Sequence, residues 1–287
     1  MDHRHSAIDG SVVSWFRAAA ERGNPYAQFN LALQFKKGQG VCRDEELAFL
    51  WMRLAAQQGL AFAQNDLGAM YYNGRGTPCN DGEAASWFRC AAEQGEASAQ
   101  QNLGQMYRKG RGVPRSDETA LYWFCRAAAQ GVGSAQALVG EAYMLGLGTR
   151  RIDALAIAWL RKAAWQGDPG AQFDLGMMYS RGQGVPRSDA VALAWFRQAA
   201  AQGHPVAQRH VGVVYAQGLG VVPDQRRAYC WLARAAAQGD VDAQFKLGVM
   251  LDYGCGVEKD EALALFWYRR AAESGHAPAR CRLGPLL

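Results

Sequence analysis

The chain has 287 residues, 49% of them hydrophobic, and a formal net charge of +5 carried far more by arginine than by lysine. A balance this mild is not by itself a nucleic-acid footprint, and no run of about 18 apolar residues offers a transmembrane helix. The first ten residues, Met1 to Gly10, lack the apolar core and small-residue cleavage site of a signal peptide, so a cytoplasmic location is expected. Seven cysteines, Cys42, Cys79, Cys90, Cys125, Cys230, Cys255 and Cys281, form no CxxC pair and share no regular spacing. Neither a disulfide ladder nor a zinc site is indicated, and no cofactor or metal is expected.

Tryptophan recurs every 36 residues: Trp15, Trp51, Trp87, Trp123, Trp159, Trp195, Trp231 and Trp267. Trp165 alone falls outside the series. An Ala-Gln pair keeps the same beat from Ala27-Gln28 to Ala243-Gln244, with Ala279-Arg280 as its last echo. A fixed period of this size signals stacked supersecondary units in which each repeat contacts its neighbours.

In chain order, residues 1–10 read as a short tail. Residues 11–287 read as one all-α solenoid of about seven repeats with a half-repeat at each end. Ser11 to Arg22 is a second helix without its first. One full unit can be followed from Leu60 to Glu96. Its first helix is expected from about Ala61 to Asn73, where Ala63, Leu67 and Tyr71 share a face. Gly68 interrupts that helix, and a mid-helix glycine needs a packing reason: close approach of the second helix.

The loop Gly74-Arg-Gly-Thr-Pro-Cys79 follows, and its G-x-G returns in every unit. A phosphate-cradling loop would follow a strand and open a helix at once. This one follows a helix, so it reads as a turn requiring positive φ. Asp44, Asn80, Ser116, Ser188, Asp224 and Asp260 are N-caps for the second helices; Ile8 and Ile152 depart from the pattern. The second helix carries the stripe Ala84, Trp87, Phe88, Ala91 and Ala92, which places all eight periodic tryptophans in the repeat core. An arginine column at Arg17, Arg53, Arg89, Arg161, Arg197 and Arg269 suggests a repeated local role, such as pairing with a neighbour's carboxylate or covering the Trp edge. Trp165 points outward, either stacked on Arg161 or marking a contact patch. The last residues, from Ala279, form a first helix broken by Pro285.

The string Ala171-Gln172, Leu175-Gly176, Met178-Tyr179, Gly182-Gln-Gly184-Val-Pro186, Ala192, Trp195-Phe196-Arg197, Ala199-Ala200, Gln202-Gly203 resembles the Sel1-like repeat family, a tetratricopeptide-like class. The resemblance runs from about Ser11 to Gly284. It implies a right-handed α/α superhelix and an adaptor role in protein assembly, in settings such as bacterial signalling and host interaction. The cysteine-rich branch of that family has a disulfide within each repeat, a spacing absent here.

By the same resemblance, the first helices line a concave wall whose variable columns carry specificity. The candidate groove residues are Phe29, Asn30, Leu33, Lys36, Lys37, Asn65, Tyr72, Gln101, Asn102, Gln105, Arg108, Lys109, Met144, Phe173 and Met177. Cations can hold a carboxylate and amides an extended backbone, so the expected partner is a protein or peptide segment that is acidic, or carboxyl-terminal, and apolar further along. The uncapped ends also permit self-association. No Cys-His or Ser-His-Asp grouping emerges, so no catalysis, hydrolytic or other, is expected. The competing reading is an RNA-binding repeat array using Arg75, Arg111, Arg115, Arg150, Arg151, Arg226 and Arg227. Mixed charges in the groove columns argue against it.

Overall fold

The computed structural model describes residues 14–284, all of whose regular elements are helices. The expected tail at 1–10, the missing cap at Ile8 and the break at Pro285 lie outside the described residues. Helix α1 covers residues 14–21. First helices are α2 (Pro25–Lys37), α4 (Ala61–Asn73), α6 (Ala97–Lys109), α8 (Gly133–Leu145), α10 (Pro169–Arg181), α12 (Pro205–Gln217), α14 (Val241–Tyr253) and the short α16 (Ala277–Leu283). Second helices are α3 (Glu45–Gln57), α5 (Asp81–Glu93), α7 (Asp117–Ala129), α9 (Asp153–Trp165), α11 (Asp189–Ala201), α13 (Gln225–Ala237) and α15 (Glu261–Glu273).

The chain forms two compact units. Unit 1 runs to Ala142 and includes Gly146–Arg150; unit 2 takes Tyr143–Leu145 and the residues from Arg151 onward. Within each, a first helix packs on its second helix, and the second helix packs on the next first helix.

Local chemistry sets the helix limits. Asp44, Asn80, Ser116, Ser188, Asp224 and Asp260 accept from backbone N–H groups in the first turn of the second helices. Ile152 caps α9 with no side-chain hydrogen bond. First helices have caps of their own, including Asn24, Asp168, His204, Asp240 and His276. Each of α2, α4, α6, α8, α10, α12 and α14 stops at a left-handed glycine; Gly74 has φ 66°. Gly68 has the expected packing reason: a Cβ there would lie 2.8 Å from the Phe88 ring.

The periodic tryptophans flank the centre of the core, with Trp51, Trp87, Trp231 and Trp267 packed against its clusters. The innermost column is the next residue along: Met52, Phe88, Phe124, Leu160, Phe196, Leu232 and Tyr268 are all buried. Of the periodic tryptophans, Trp123 is buried, whereas Trp51, Trp87, Trp159, Trp195, Trp231 and Trp267 are half-buried. Trp15 is 66% exposed, against the expectation of a core position. The buried face is centred on Phe88, with Ala85 and Ala92 on one side and Ala84 and Ala91 on the other. Trp87 therefore sits at its edge, one helical step away. The outer faces of several indoles meet a cation three residues on: Arg126 with Trp123, Lys162 with Trp159, Arg234 with Trp231 and Arg270 with Trp267.

A polar ladder accompanies the apolar core. In unit 1, Gln28, Gln64, Gln100 and Gln136 are buried and donate through Nε2 to the carbonyls of Ala20, Ala56, Ala92 and Ala128 at 3.1–3.2 Å. In unit 2, Gln172, Gln208 and Gln244 do the same to Ala164, Ala200 and Ala236. The Oε1 atoms of Gln28, Gln64 and Gln100 in unit 1, and of Gln172 and Gln208 in unit 2, accept from a second glutamine 30 residues on, as Gln58 donates to Gln28 at 2.8 Å and Gln238 to Gln208 at 2.8 Å. The last rung differs. Ser274 stands in the donor column and bonds to the Arg270 carbonyl instead, leaving Gln244 Oε1 buried without a partner.

Candidate ligand face

The outward face of a first helix is what the core and the ladder leave over. On α4, Ala63, Gln64, Leu67, Gly68 and Met70 are committed inward. Asn65, Asp66 and Tyr72 remain half-buried, and Asn73 is exposed. The same division holds on α2 and α6, so unit 1 presents three consecutive polar strips.

Some of the candidate residues in unit 1 are packing residues. Phe29 and Leu33 lie against the cluster running from Ala20 to Met70. Tyr72 packs against the next cluster, with the Arg111 guanidinium 3.9 Å from its ring centroid. Others are tied to neighbouring repeats. Asn102 donates to Asn65 at 3.0 Å, and Ser134 donates to Gln101 at 2.8 Å. Lys36 lies 3.7 Å from Asp66, whose carboxyl pKa burial raises above the ordinary value despite that ammonium. Arg108 pairs with Glu141 at 2.9 Å. Asn30 bonds to the Tyr26 carbonyl. Lys37 and Lys109 are exposed and form no ion pair among the described residues.

Between α4 and α6 the strips enclose a pocket of about 150 Å³. Phe88 and Met106 form its apolar floor, Tyr72, Asn102 and Gln105 its walls, and Lys109 its rim. The Gln105 Oε1 atom is buried there without a hydrogen-bond partner. Apolar floor, amide wall and free ammonium together suit a side chain with a carboxylate beside it.

Unit 2 offers a different face. Phe173 and Met177 are half-buried on α10, and Met144 is half-buried near the end of α8. Phe173 stacks on His204 at 5.1 Å and meets His210 edge-on at 5.3 Å; His210 also lies 5.2 Å from Phe196. Burial, reinforced by Arg209 and Arg181, lowers the His210 pKa to about 4. His204 Nδ1 accepts from Ala207 N–H, so that nitrogen is unprotonated, and burial lowers its pKa as well. Farther along, α12 and α14 enclose an apolar cleft of about 260 Å³. The same residue columns that supplied the candidates in unit 1 contain its walls, Val213, Phe245 and Val249.

Two members of the arginine column bond to tyrosine rather than to carboxylates, Arg89 to the Tyr107 hydroxyl at 2.9 Å and Arg161 to that of Tyr179 at 2.6 Å, and Arg53 lies over the Phe49 ring. Arg161 is thus engaged, and Trp165 is 76% exposed. Most loop arginines are paired too: Arg111 with Asp81, Arg115 with Asp117, Arg151 with Asp153 and Arg227 with Asp224. No described helix is long and apolar enough to cross a membrane. No three His, Cys, Asp or Glu side chains among the described residues are placed to hold a metal ion.

Helix pairs of constant 36-residue length, joined by left-handed glycine turns and leaving a variable first-helix face, define an α-helical repeat protein of the solenoid class. The Sel1 repeat pattern matches residues 13–24, 25–60, 61–96, 97–132, 133–168, 169–204, 205–240 and 241–276, and the chain belongs to that family. The fold is typical of protein-interaction scaffolds. Among solved structures it is similar to c5321, a protective antigen of uropathogenic Escherichia coli with an SLR fold, at 38% identity and a TM-score of 0.88. That match covers 93% of this chain but 57% of the other, so the chain spans little more than half of that relative. A Sel1 repeat protein from Oxalobacter formigenes is 33% identical with a TM-score of 0.82, covering 100% of this chain and 83% of that one. Comparison with curated protein sequences gives no match.

Proposed function

We propose that the protein is a non-enzymatic adaptor that binds an acidic or carboxyl-terminal segment of a partner protein on the first-helix face of unit 1. The pocket between α4 and α6 carries the reading, because it joins an apolar floor to the free ammonium of Lys109. The Gln105 amide in its wall, with a buried Oε1 that has no partner, is of the kind that satisfies an extended peptide backbone. The similarity to two bacterial proteins favours a role in bacterial assembly, signalling or host interaction. Protein is favoured over RNA because most loop arginines are held by carboxylates of the same chain.

The test is selection of random dodecapeptides with free carboxyl termini on the full chain, followed by fluorescence polarisation of the enriched sequences. Enrichment of Asp, Glu or a terminal carboxylate is expected. Lys37→Glu/Lys109→Glu should weaken those peptides by about ten-fold or more, as reversal of a contact charge does. These two lysines serve better than Arg108, whose reversal would also set two carboxylates together at Glu141. Neutral peptides indifferent to the reversal would refute the reading.

A further inference from the structure

The first-helix face of unit 2 contains a second recognition element that the unit 1 pocket does not use. The cleft between α12 and α14 has a buried floor of Leu232 and Met250 and half-buried walls of Val213, Ala216, Phe245 and Val249. Two polar groups stand at its mouth, Lys246 and Gln217. Most of its lining is hydrocarbon, so water there gains few hydrogen bonds and is readily displaced by an apolar side chain.

The charges around the cleft indicate what accompanies that side chain. The carboxylates of α14 and its cap each lie beside an arginine: Arg209 holds Asp240 at 3.0 Å and lies 3.5 Å from Asp242, and Arg282 lies 3.6 Å from Asp252. Lys246, at the mouth of the cleft, forms no ion pair among the described residues. One cation, Lys246, is thus left without an ion-pair partner at the rim of an apolar slot. A ligand that placed a second cation there would meet uncompensated like charge. One that placed a carboxylate there would complete the pairing with Lys246.

We infer that the α12–α14 cleft is a docking site for a peptide segment presenting an aliphatic or aromatic side chain with an acidic residue next to it, the side chain entering between Phe245 and Val249 and the carboxylate meeting Lys246. The inference rests on the reading that the first-helix face is the ligand face, but not on the unit 1 pocket. Phe245 supplies the aromatic wall and is braced by His276 at 4.6 Å and Tyr268 at 5.7 Å, so the slot is preformed rather than opened by the ligand.

The test uses the full chain and random dodecapeptides with amidated termini, which removes the terminal carboxylate that the unit 1 site can use. Selection should enrich Leu, Ile or Phe with Asp or Glu at an adjacent position. Val249→Gln should weaken the enriched peptides by about ten-fold or more, the effect of polarising a central contact. Lys246→Glu, a surface change that leaves the walls intact, should weaken them and reverse the preference from acidic to basic neighbours. Lys37→Glu/Lys109→Glu should leave them unchanged. Enrichment without an apolar residue, or binding indifferent to both Val249→Gln and Lys246→Glu, overturns the inference. Peptides lost only with the unit 1 reversal would refute the cleft and keep the unit 1 site. Peptides lost only with the unit 2 variants would keep the cleft and refute the unit 1 pocket as their site.

Discussion

Two adjacent aromatic columns look interchangeable in the sequence and are not so in the fold. Phe196 is 2% exposed and fills the space that Gly176 leaves open, whereas Trp195 is half-buried at the edge of the stripe. Phe196→Ala should therefore cost about 3–5 kcal/mol, the range for deleting a buried aromatic side chain. Trp195→Ala should cost less, about half that, because part of its ring is already in contact with water and its loss leaves a smaller buried cavity. Urea unfolding followed by far-UV circular dichroism will order them, and a lower midpoint for Trp195→Ala would contradict the placement. The periodicity shows that both columns are apolar but cannot say which is central, since neighbours on a helix differ by one 100° step. The decisive signal is the column Phe49, Ala85, Leu121, Ile157 and Leu193, apolar in each of those repeats and buried throughout. It pulls the centre of the face toward Phe88 and away from Trp87.

Helices in this chain are so regular that irregularities can be read as defects with predictable repairs. Ser274 breaks the glutamine ladder, and a buried carbonyl oxygen is left unpaired on Gln244. Ser274→Gln restores the donor used at Gln58, Gln94, Gln130, Gln202 and Gln238, and should stabilise the chain by about 1 kcal/mol, the net value of one hydrogen bond with its buried acceptor satisfied. No rise in melting temperature would show that the acceptor is not the weak point. Ile152 is the second defect: its backbone has the extended conformation of the other caps, φ −140° and ψ 92°, without an acceptor side chain. Ile152→Ser should gain about 0.5–2 kcal/mol by capping α9, read as a higher urea midpoint. Helix limits were legible because caps and left-handed glycines are local; α4 runs from Ala61 to Asn73 as its sequence predicts. The ladder was not. The Ala-Gln beat was visible, but its partners lie 8 and 30 residues away, and only the packing angle of the helices brings them together.

Over the whole molecule, the period made the repeat architecture legible, while the ligand face could be read only to the level of columns. Lys36 and Arg108 look like free cations in the sequence, yet partners 30 and 33 residues on, Asp66 and Glu141, occupy them. Such pairing depends on how successive helices rotate, which no local pattern encodes. Phe245 and Val249 share the columns of Phe29 and Leu33, but the cleft between α12 and α14 depends on what their neighbours leave unfilled. Stability is also a property of the array, a sum over repeats and their interfaces, so one titrating repeat shows in the melt of the chain. His210 lies among Phe173, Phe196 and His204, with Arg209 and Arg181 disfavouring its charge and Asp240 weakly favouring it. Its pKa falls from 6.5 to about 4 on folding. Between those values the unfolded chain binds a proton that the folded chain does not, so acid favours unfolding. The contribution of neutral His210 is fully present above about pH 6.5 and is lost as pH falls toward about 4. His210→Gln keeps a neutral polar side chain but removes the titration. Going from pH 7 to pH 5, the melting temperature of the wild type should fall further than that of His210→Gln, and parallel losses would mean that the acid sensitivity arises elsewhere.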